Sequence, residues 1–193
     1  MAAARRGRLA AVVGPSGAGK DTLMAEAKRL RPDLVWAQRV VTRPEEAGGE
    51  PYESVDAREF HRRREAGAFA VWWEAHDLLY GVPATIEADL EAGRTVMFNG
   101  SRAAIGQARL KFPGLSVIVV TAPDEVLARR LAARGRESEA EIRERLQRAA
   151  YPAPAGATVV VNDGAVSEGA GRLLAALNPD LAIDPFRPAE SAG

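Results

Sequence analysis

Nine consecutive residues, Gly14-Pro15-Ser16-Gly17-Ala18-Gly19-Lys20-Asp21-Thr22, carry the strongest chemical signal in this chain. They fit the phosphate-binding pattern G-x-x-x-x-G-K-[ST] at every position but the last, where Asp21 replaces Ser or Thr. Glycines let the backbone wrap with its N–H groups facing an anion, and a helix starting at the end of the loop adds its positive N-terminal end. Lys20 is then placed as a point charge on the outer phosphates of a nucleotide. Asp21 alters the metal chemistry. The usual hydroxyl is a neutral magnesium ligand, whereas a carboxylate can ligate magnesium directly or through water and adds negative charge beside the phosphates. A magnesium requirement follows, with Asp21 as the metal ligand. Thr22 offers a hydroxyl one position later, turned elsewhere on the helix.

Two further groups of residues carry chemistry. Arg43 stands in Thr42-Arg43-Pro44, with Tyr52 after it and then Trp72-Trp73-Glu74-Ala75-His76 and Leu79-Tyr80-Gly81. An arginine fork with two phenolic hydroxyls suits a phosphate, the fork giving paired charged hydrogen bonds and the phenols fixing orientation. The same residues also fit a solvated Arg43 beside core aromatics. The second group is Arg129-Arg130, Arg134-Gly135-Arg136, Arg143, Arg145 and Arg148. A cationic helix–loop–helix hinged at Gly135 can close over a nucleotide and neutralise charge during phosphoryl transfer. Glu137, Glu139, Glu141 and Glu144 interleave with it, so a solvated, self-paired face is the alternative.

The elements that must position these groups alternate. Residues 9–13 form an apolar run of buried-strand length, and 20–31 have Leu23, Ala27 and Leu30 at helical spacing. Residues 34–41 read as one strand. Residues 56–66 read as a helix with Asp56 as N-cap and Glu59 completing a capping box. Short β-like runs at 69–73 and 78–82 precede a helix at 84–92 ending at Gly93. A strand at 95–98, a helix at 102–111, a strand at 115–121 and a helix from Pro123 to 133 come next. A charged loop and a helix at 139–150, a strand at 157–161 and a helix at 165–177 complete the order. Such alternation implies an α/β fold with a parallel sheet covered on both faces. Residues 1–177 read as a single domain, with an acceptor lobe at about 36–94 and a lid at about 130–148. Residues 178–193, with Pro179, Pro185 and Pro188, read as a flexible tail.

Composition narrows the function. The chain has 193 residues, enough for one domain with a sizeable core, and 47% hydrophobic with 27% charged residues fits an ordinary globular protein. Its formal net charge is zero, so no global field draws in nucleic acid or acidic membrane. Anion recognition must come from local arginines. There is no cysteine, hence no disulfide framework or thiolate metal site. No apolar stretch is long enough for a membrane span or signal peptide, and the cytoplasm is the expected compartment. The oligomeric state is open, a homodimer included.

Together these segments resemble the guanylate kinase superfamily across nearly the whole chain. The resemblance implies a P-loop NTPase three-layer fold with a substrate lobe and a lid. It implies ATP in loop 14–22 with Asn162 near the adenine, Lys20 on its outer phosphates, and Arg130, Arg134 and Arg145 as lid arginines. The departures fall on the acceptor side. The family's second arginine after Thr-Arg is Glu46, its guanine-reading acidic residue is Val71, its guanine-reading hydroxyl is Val82, and its central-strand acid is Asn99. A buried polar group left without its partner costs roughly 1–3 kcal/mol, so these replacements remove guanine specificity.

The chain is also similar to a smaller family, the ribose 1,5-bisphosphate phosphokinases of bacterial phosphonate degradation. The shared segments are Gly19-Lys20-Asp21, Arg39-Val40-Val41-Thr42-Arg43, Trp73-Glu74-Ala75-His76, Tyr80-Gly81-Val82, Asn99-Gly100-Ser101-Arg102-Ala103 and Arg134-Gly135-Arg136-Glu137. This resemblance implies transfer from MgATP to ribose 1,5-bisphosphate. It puts Arg43, Tyr52, Tyr80, Asn99, Ser101 and Arg102 around the acceptor, Glu74 and His76 on its ribose hydroxyls, and Arg130, Arg134, Arg136 and Arg145 over the transferring group. Three alternatives stand beside it: a guanylate kinase, a non-catalytic module of that superfamily that binds partners, and a GTPase switch. The kept lysine and lid arginines weigh against the second. The third lacks an Asn-Lys-x-Asp run.

Overall fold

A computed structural model describes residues 7–44, 51–133 and 152–178. The expected charged loop and helix at 134–150, with Arg134, Arg136 and Arg145, lie outside the described residues, as does the tail beyond Asn178.

Five strands form a parallel sheet: β1 (Leu9–Val13), β2 (Val35–Trp36), β7 (Val96–Asn99), β8 (Ser116–Thr121) and β9 (Thr158–Val161). Their order is β2-β7-β1-β8-β9, which places β1 at the centre with β7 and β8 beside it. Alternate residues of the central strands feed two cores, as a side-chain period of two requires. Ala10, Val12, Met97, Ile118 and Val120 pack under α1 (Lys20–Leu30), α5 (Asp124–Ala133) and α6 (Val166–Leu177). Leu9, Ala11, Val13, Val96, Phe98 and Val117 pack on the other face with α3 (Ile86–Glu91) and α4 (Arg102–Lys111). The expected three-layer α/β architecture is the one observed.

A second sheet has the order β4-β3-β6-β5, from β4 (Tyr52–Ser54), β3 (Arg39–Val41), β6 (Leu78–Pro83) and β5 (Phe69–Ala75). Here one expectation fails. Residues 34–41 are two strands, not one. Val35 and Trp36 pair with β7 in the parallel sheet, while Arg39 to Val41 pair with β4 and β6 in the second. The apolar run is continuous in sequence, so periodicity alone sees no break. The chain changes sheets at Ala37 and Gln38, where the Ala37 N–H still donates to Met97 O at 2.9 Å.

Strands β5 and β6 form a hairpin whose two-residue loop is His76-Asp77, both at positive φ (53° and 58°), as a type I′ turn demands. One face of this sheet, with Val40 and Phe69, packs on Phe60 of α2 (Ala57–Glu65). The other, with Val71, Trp73 and Val82, joins the core beneath α4. The N-cap of α2 is Asp56, which accepts from the Glu59 N–H at 2.7 Å. The capping box is half built, because the Glu59 carboxylate accepts from Arg62 and Arg63 instead.

Candidate functional site

The phosphate loop leaves β1 and enters α1, as the spacing requires. Gly14 sits at φ 146°, and a Cβ there would lie 2.0 Å from the Val120 carbonyl oxygen. Gly19 caps α1 in the left-handed conformation, and a Cβ on it would lie 2.5 Å from Asn162 Nδ2. No side chain caps this helix, which leaves its first N–H groups for an anion. Lys20 Nζ donates to the Gly14 and Pro15 carbonyls at 2.9 and 3.1 Å, so the ammonium is held across the loop. Ser16 is exposed, and Ala18 is buried with its N–H directed to the Pro15 carbonyl at 3.3 Å. Arg130, on α5, brings Nη1 to 3.5 Å from the Gly17 and Ala18 carbonyls. It stands at the lip of the loop.

Asn162 makes a contact the sequence did not suggest. It is buried, and its Nδ2 donates to the Ala18 carbonyl at 2.8 Å. Its amide braces the loop. Asn99 is equally unexpected. It ends β7 beside Val12 and its Nδ2 donates to Asp21 Oδ1 at 2.6 Å, across 78 positions of sequence. This amide orients the Asp21 carboxylate and uses one of its oxygens. Thr22 is exposed on α1.

Asp21 meets the needs of magnesium. That ion is held by one or two carboxylates together with substrate phosphates and water, and not by a protein cage. Among the described residues no group of three or more His, Cys, Asp or Glu side chains could hold a metal ion. A single oriented carboxylate at the start of α1 is therefore the donor set that fits.

The residues expected around an acceptor, Arg43, Tyr52 and Tyr80, lie on or beside the second sheet. Arg43 lies with its guanidinium carbon 4.4 Å from the Tyr52 ring centroid, while the Tyr52 hydroxyl donates to the Pro44 carbonyl. Tyr80 stacks on its cross-strand partner Trp73 at 5.3 Å and 5°. Arg39 lies over both rings, 5.1 Å from Tyr80 and 5.7 Å from Trp73. Burial pushes its pKa down to about 10, the Asp21 carboxylate opposes that shift, and Arg43 adds to it. It stays cationic at neutral pH.

Sequence reasoning quoted Arg39 but gave it no role. Arg39 and Val41 share a face two residues apart, and Val41 pairs with Tyr80, so the β3 register was the signal that could have found it.

Two expected residues fall elsewhere. Glu74 pairs with Leu79 and shares a face with Trp72, opposite that of Trp73 and Tyr80. His76 is an exposed residue of the hairpin loop. The structure does not bring either to the Arg43–Tyr80 face.

Ser101 caps α4, accepting from the Ala103 N–H at 3.3 Å, and Arg102 opens that helix, exposed. The preceding Gly100 N–H donates to Val12 O at 2.9 Å, which sets this turn beside the start of the phosphate loop.

Val71 and Val82, which the resemblance aligns with base-reading positions, are cross-strand partners, 2% and 0% exposed. Both lie in the core beneath α4.

Residues 11–149 match the AAA domain family. The chain is 46% identical over 186 residues to ribose 1,5-bisphosphate phosphokinase PhnN of Rhizobium etli, covering 94% of each chain. This chain belongs to the ribose 1,5-bisphosphate phosphokinase family. It is also 47% identical over 169 residues to the bifunctional ribose 1,5-bisphosphokinase-thymidine phosphorylase of Cupriavidus necator, a match to 86% of this chain but 28% of that longer relative. Among solved structures it is similar to guanylate kinase from Anaplasma phagocytophilum, with a TM-score of 0.67, 21% identity, and coverage of 91% of this chain and 87% of that one. That likeness speaks for the fold alone. No helix among the described residues is long and apolar enough to cross a membrane.

Proposed function

We propose that this chain transfers the γ-phosphoryl group of ATP to ribose 1,5-bisphosphate, giving ADP and 5-phosphoribosyl 1-diphosphate. The observation that carries the reading is the Val71–Val82 pair. A purine edge placed there would face two buried aliphatic side chains and leave its polar atoms unpaired. The residues this reading assigns to phosphates are kept beside that change: Lys20 with its loop, and Arg43, Tyr52 and Tyr80. Family membership supplies the identity of the sugar phosphate.

In this reading an oxygen of the acceptor's 1-phosphate attacks the γ-phosphorus, and the bond to the β-bridging oxygen breaks, releasing ADP. The attacking oxygen is already ionised, so no general base is required. Catalysis is positioning and charge neutralisation. Loop 14–22 and the start of α1 hold the ATP phosphates. Magnesium, when bound, would neutralise charge on the β- and γ-phosphates, with Asp21 as its protein ligand and Asn99 fixing that carboxylate. Arg102 at the head of α4 faces the acceptor's second phosphate. Arg130 stands at the loop, and Arg134, Arg136 and Arg145 are the further arginines this reading assigns to the transferring group. The domain division follows the same logic: one kinase domain over 1–177, its acceptor lobe at about 36–94 and its lid at about 130–148. The compartment is the cytoplasm, where ATP is supplied, and the place in phosphonate degradation follows the family. The small-molecule partners are ATP and the sugar phosphate, with neither nucleic acid nor membrane called for and a homodimer left open.

The test is an acceptor screen with ADP release coupled to a dehydrogenase readout. Ribose 1,5-bisphosphate should turn over, and GMP should be slower by at least about a hundredfold in kcat/KM, as expected where polar groups meet an apolar wall. GMP as the preferred acceptor would overturn the reading.

A further inference from the structure

Strand β3 ends at Val41, and the segment that follows it carries Arg43. Pro44 has no N–H, so no ladder can run on through it, and a residue before proline is held to the extended region. Side-chain hydroxyls take over where the ladder stops. Toward β6, the Thr42 N–H donates to Leu79 O at 3.1 Å, and Thr42 Oγ1 accepts from the Leu79 N–H at 2.9 Å. Toward β4, Ser54 Oγ donates to the Arg43 carbonyl at 2.7 Å, and the Tyr52 hydroxyl donates to the Pro44 carbonyl. Tyr52 and Ser54 are two apart on β4 and so share a face. The Tyr52 ring also carries the Arg43 guanidinium, its carbon 4.4 Å from the ring centroid. Residues 43 and 44 are thus held at two successive carbonyls and at the guanidinium by two side chains of one short strand.

The proton count decides what these hydroxyls can do. An ionised phosphate oxygen only accepts, so a hydroxyl that meets it must donate. A hydroxyl has one proton to give, and that of Tyr52 goes to Pro44 while that of Ser54 goes to Arg43. An arginine fixed before its ligand arrives has less freedom to lose on binding.

We propose that Ser54 and Tyr52 are positioning residues for the acceptor phosphate. Their hydroxyls fix the Arg43–Pro44 backbone, which aims the Arg43 guanidinium, and neither hydroxyl touches the acceptor. The proposal rests on the phosphoryl-transfer reading above, in which Arg43 grips a phosphate, and deepens it.

The test is a pair of double-mutant cycles in the full chain. Ser54→Ala and Tyr52→Phe are each made alone and together with Arg43→Ala. Acceptor kcat/KM for ribose 1,5-bisphosphate is read from initial slopes, beside ATP Kd by calorimetry and thermal midpoints. Each single variant should lower acceptor kcat/KM roughly three- to tenfold, mostly through KM, the usual result of losing one hydrogen bond, with ATP Kd within about twofold of the unaltered chain. Beside Arg43→Ala the same changes should add less than about twofold, because the group they aim is gone. Ser54→Thr keeps the hydroxyl on a side chain that suits a strand, and should recover most of the loss. The proposal is overturned by single variants that leave acceptor kcat/KM unchanged, or by a Tyr52→Phe loss that persists in full without Arg43. Equal losses for ATP and acceptor, or a threonine variant no better than the alanine one, overturn it too. So does an Arg43→Ala variant with normal acceptor kcat/KM. If Arg43→Ala or both hydroxyl variants fail to fold, these residues belong to the framework and the proposal falls. If the unaltered chain prefers GMP, the sugar-phosphate reading falls by itself. The same cycles run with GMP, which also presents a phosphate, then decide the positioning roles separately.

Discussion

At the phosphate loop, recognition is built from backbone. Gly14 and Gly19 hold positive φ, α1 presents uncapped N–H groups, and Asn162 with Arg130 secures the loop's outward carbonyls. On the second sheet the cationic groups are positioned by side chains. Arg39 and Arg43 rest on Tyr80, Trp73 and Tyr52, and the strands contribute register alone. The difference teaches where the enzyme can change. Backbone donors recognise any polyphosphate and tolerate almost no substitution, whereas guanidinium–ring units are made of side chains that single substitutions can exchange.

The sharpest way to break this comparison is to add one methyl group to the loop. Gly14→Ala forces a Cβ against the Val120 carbonyl at an unfavourable φ, and should cost about 3 kcal/mol or more of stability and abolish ATP binding. A near-normal thermal midpoint with intact ATP affinity would show that the backbone is less constrained than argued. Lys20→Ala should next lower kcat by at least about a hundredfold while the chain stays folded, as removal of a transition-state charge does. Near-normal turnover would separate this loop from catalysis.

Asn99→Asp tests the Asp21 pair. It replaces an amide donor at 2.6 Å with a second carboxylate. Like charges at that range raise one carboxyl pKa, so the acid limb of the pH–rate profile should move upward. At neutral pH, ATP affinity without magnesium should fall on the order of tenfold. An unshifted profile would mean that Asp21 is not oriented by Asn99. On the acceptor side, Arg102→Ala should raise the acceptor KM roughly tenfold and leave ATP Kd unchanged. Equal effects on both would remove Arg102 from the acceptor site. The smallest effect is expected far from both sites: Asp56→Ala deletes the cap of α2 and should cost about 1 kcal/mol by denaturant unfolding without changing either KM.

What could be read in advance followed the same division. The loop was legible because its chemistry is local: nine adjacent residues between a strand and a helix name the phosphate site. The parallel sheet was legible because buried strands are apolar runs bounded by turns. The acceptor face was not, for three physical reasons. The run 34–41 serves two sheets, and nothing in its hydrophobicity marks the change at Ala37 and Gln38. His76-Asp77 forms a type I′ turn without glycine or asparagine, so the hairpin that separates Glu74 from Tyr80 gave no turn signal. And Asn99 reaches Asp21, as Asn162 reaches Ala18, across separations that only the fold closes.

The Val71–Val82 pair constrains what can be substituted there. Since the two side chains face each other in a sealed core, restoring an acidic group at one position alone would strand it among hydrocarbon, and a hydroxyl at the other would help only once its neighbour had changed. On the function proposed above, a polar contact there would call for both positions to change together.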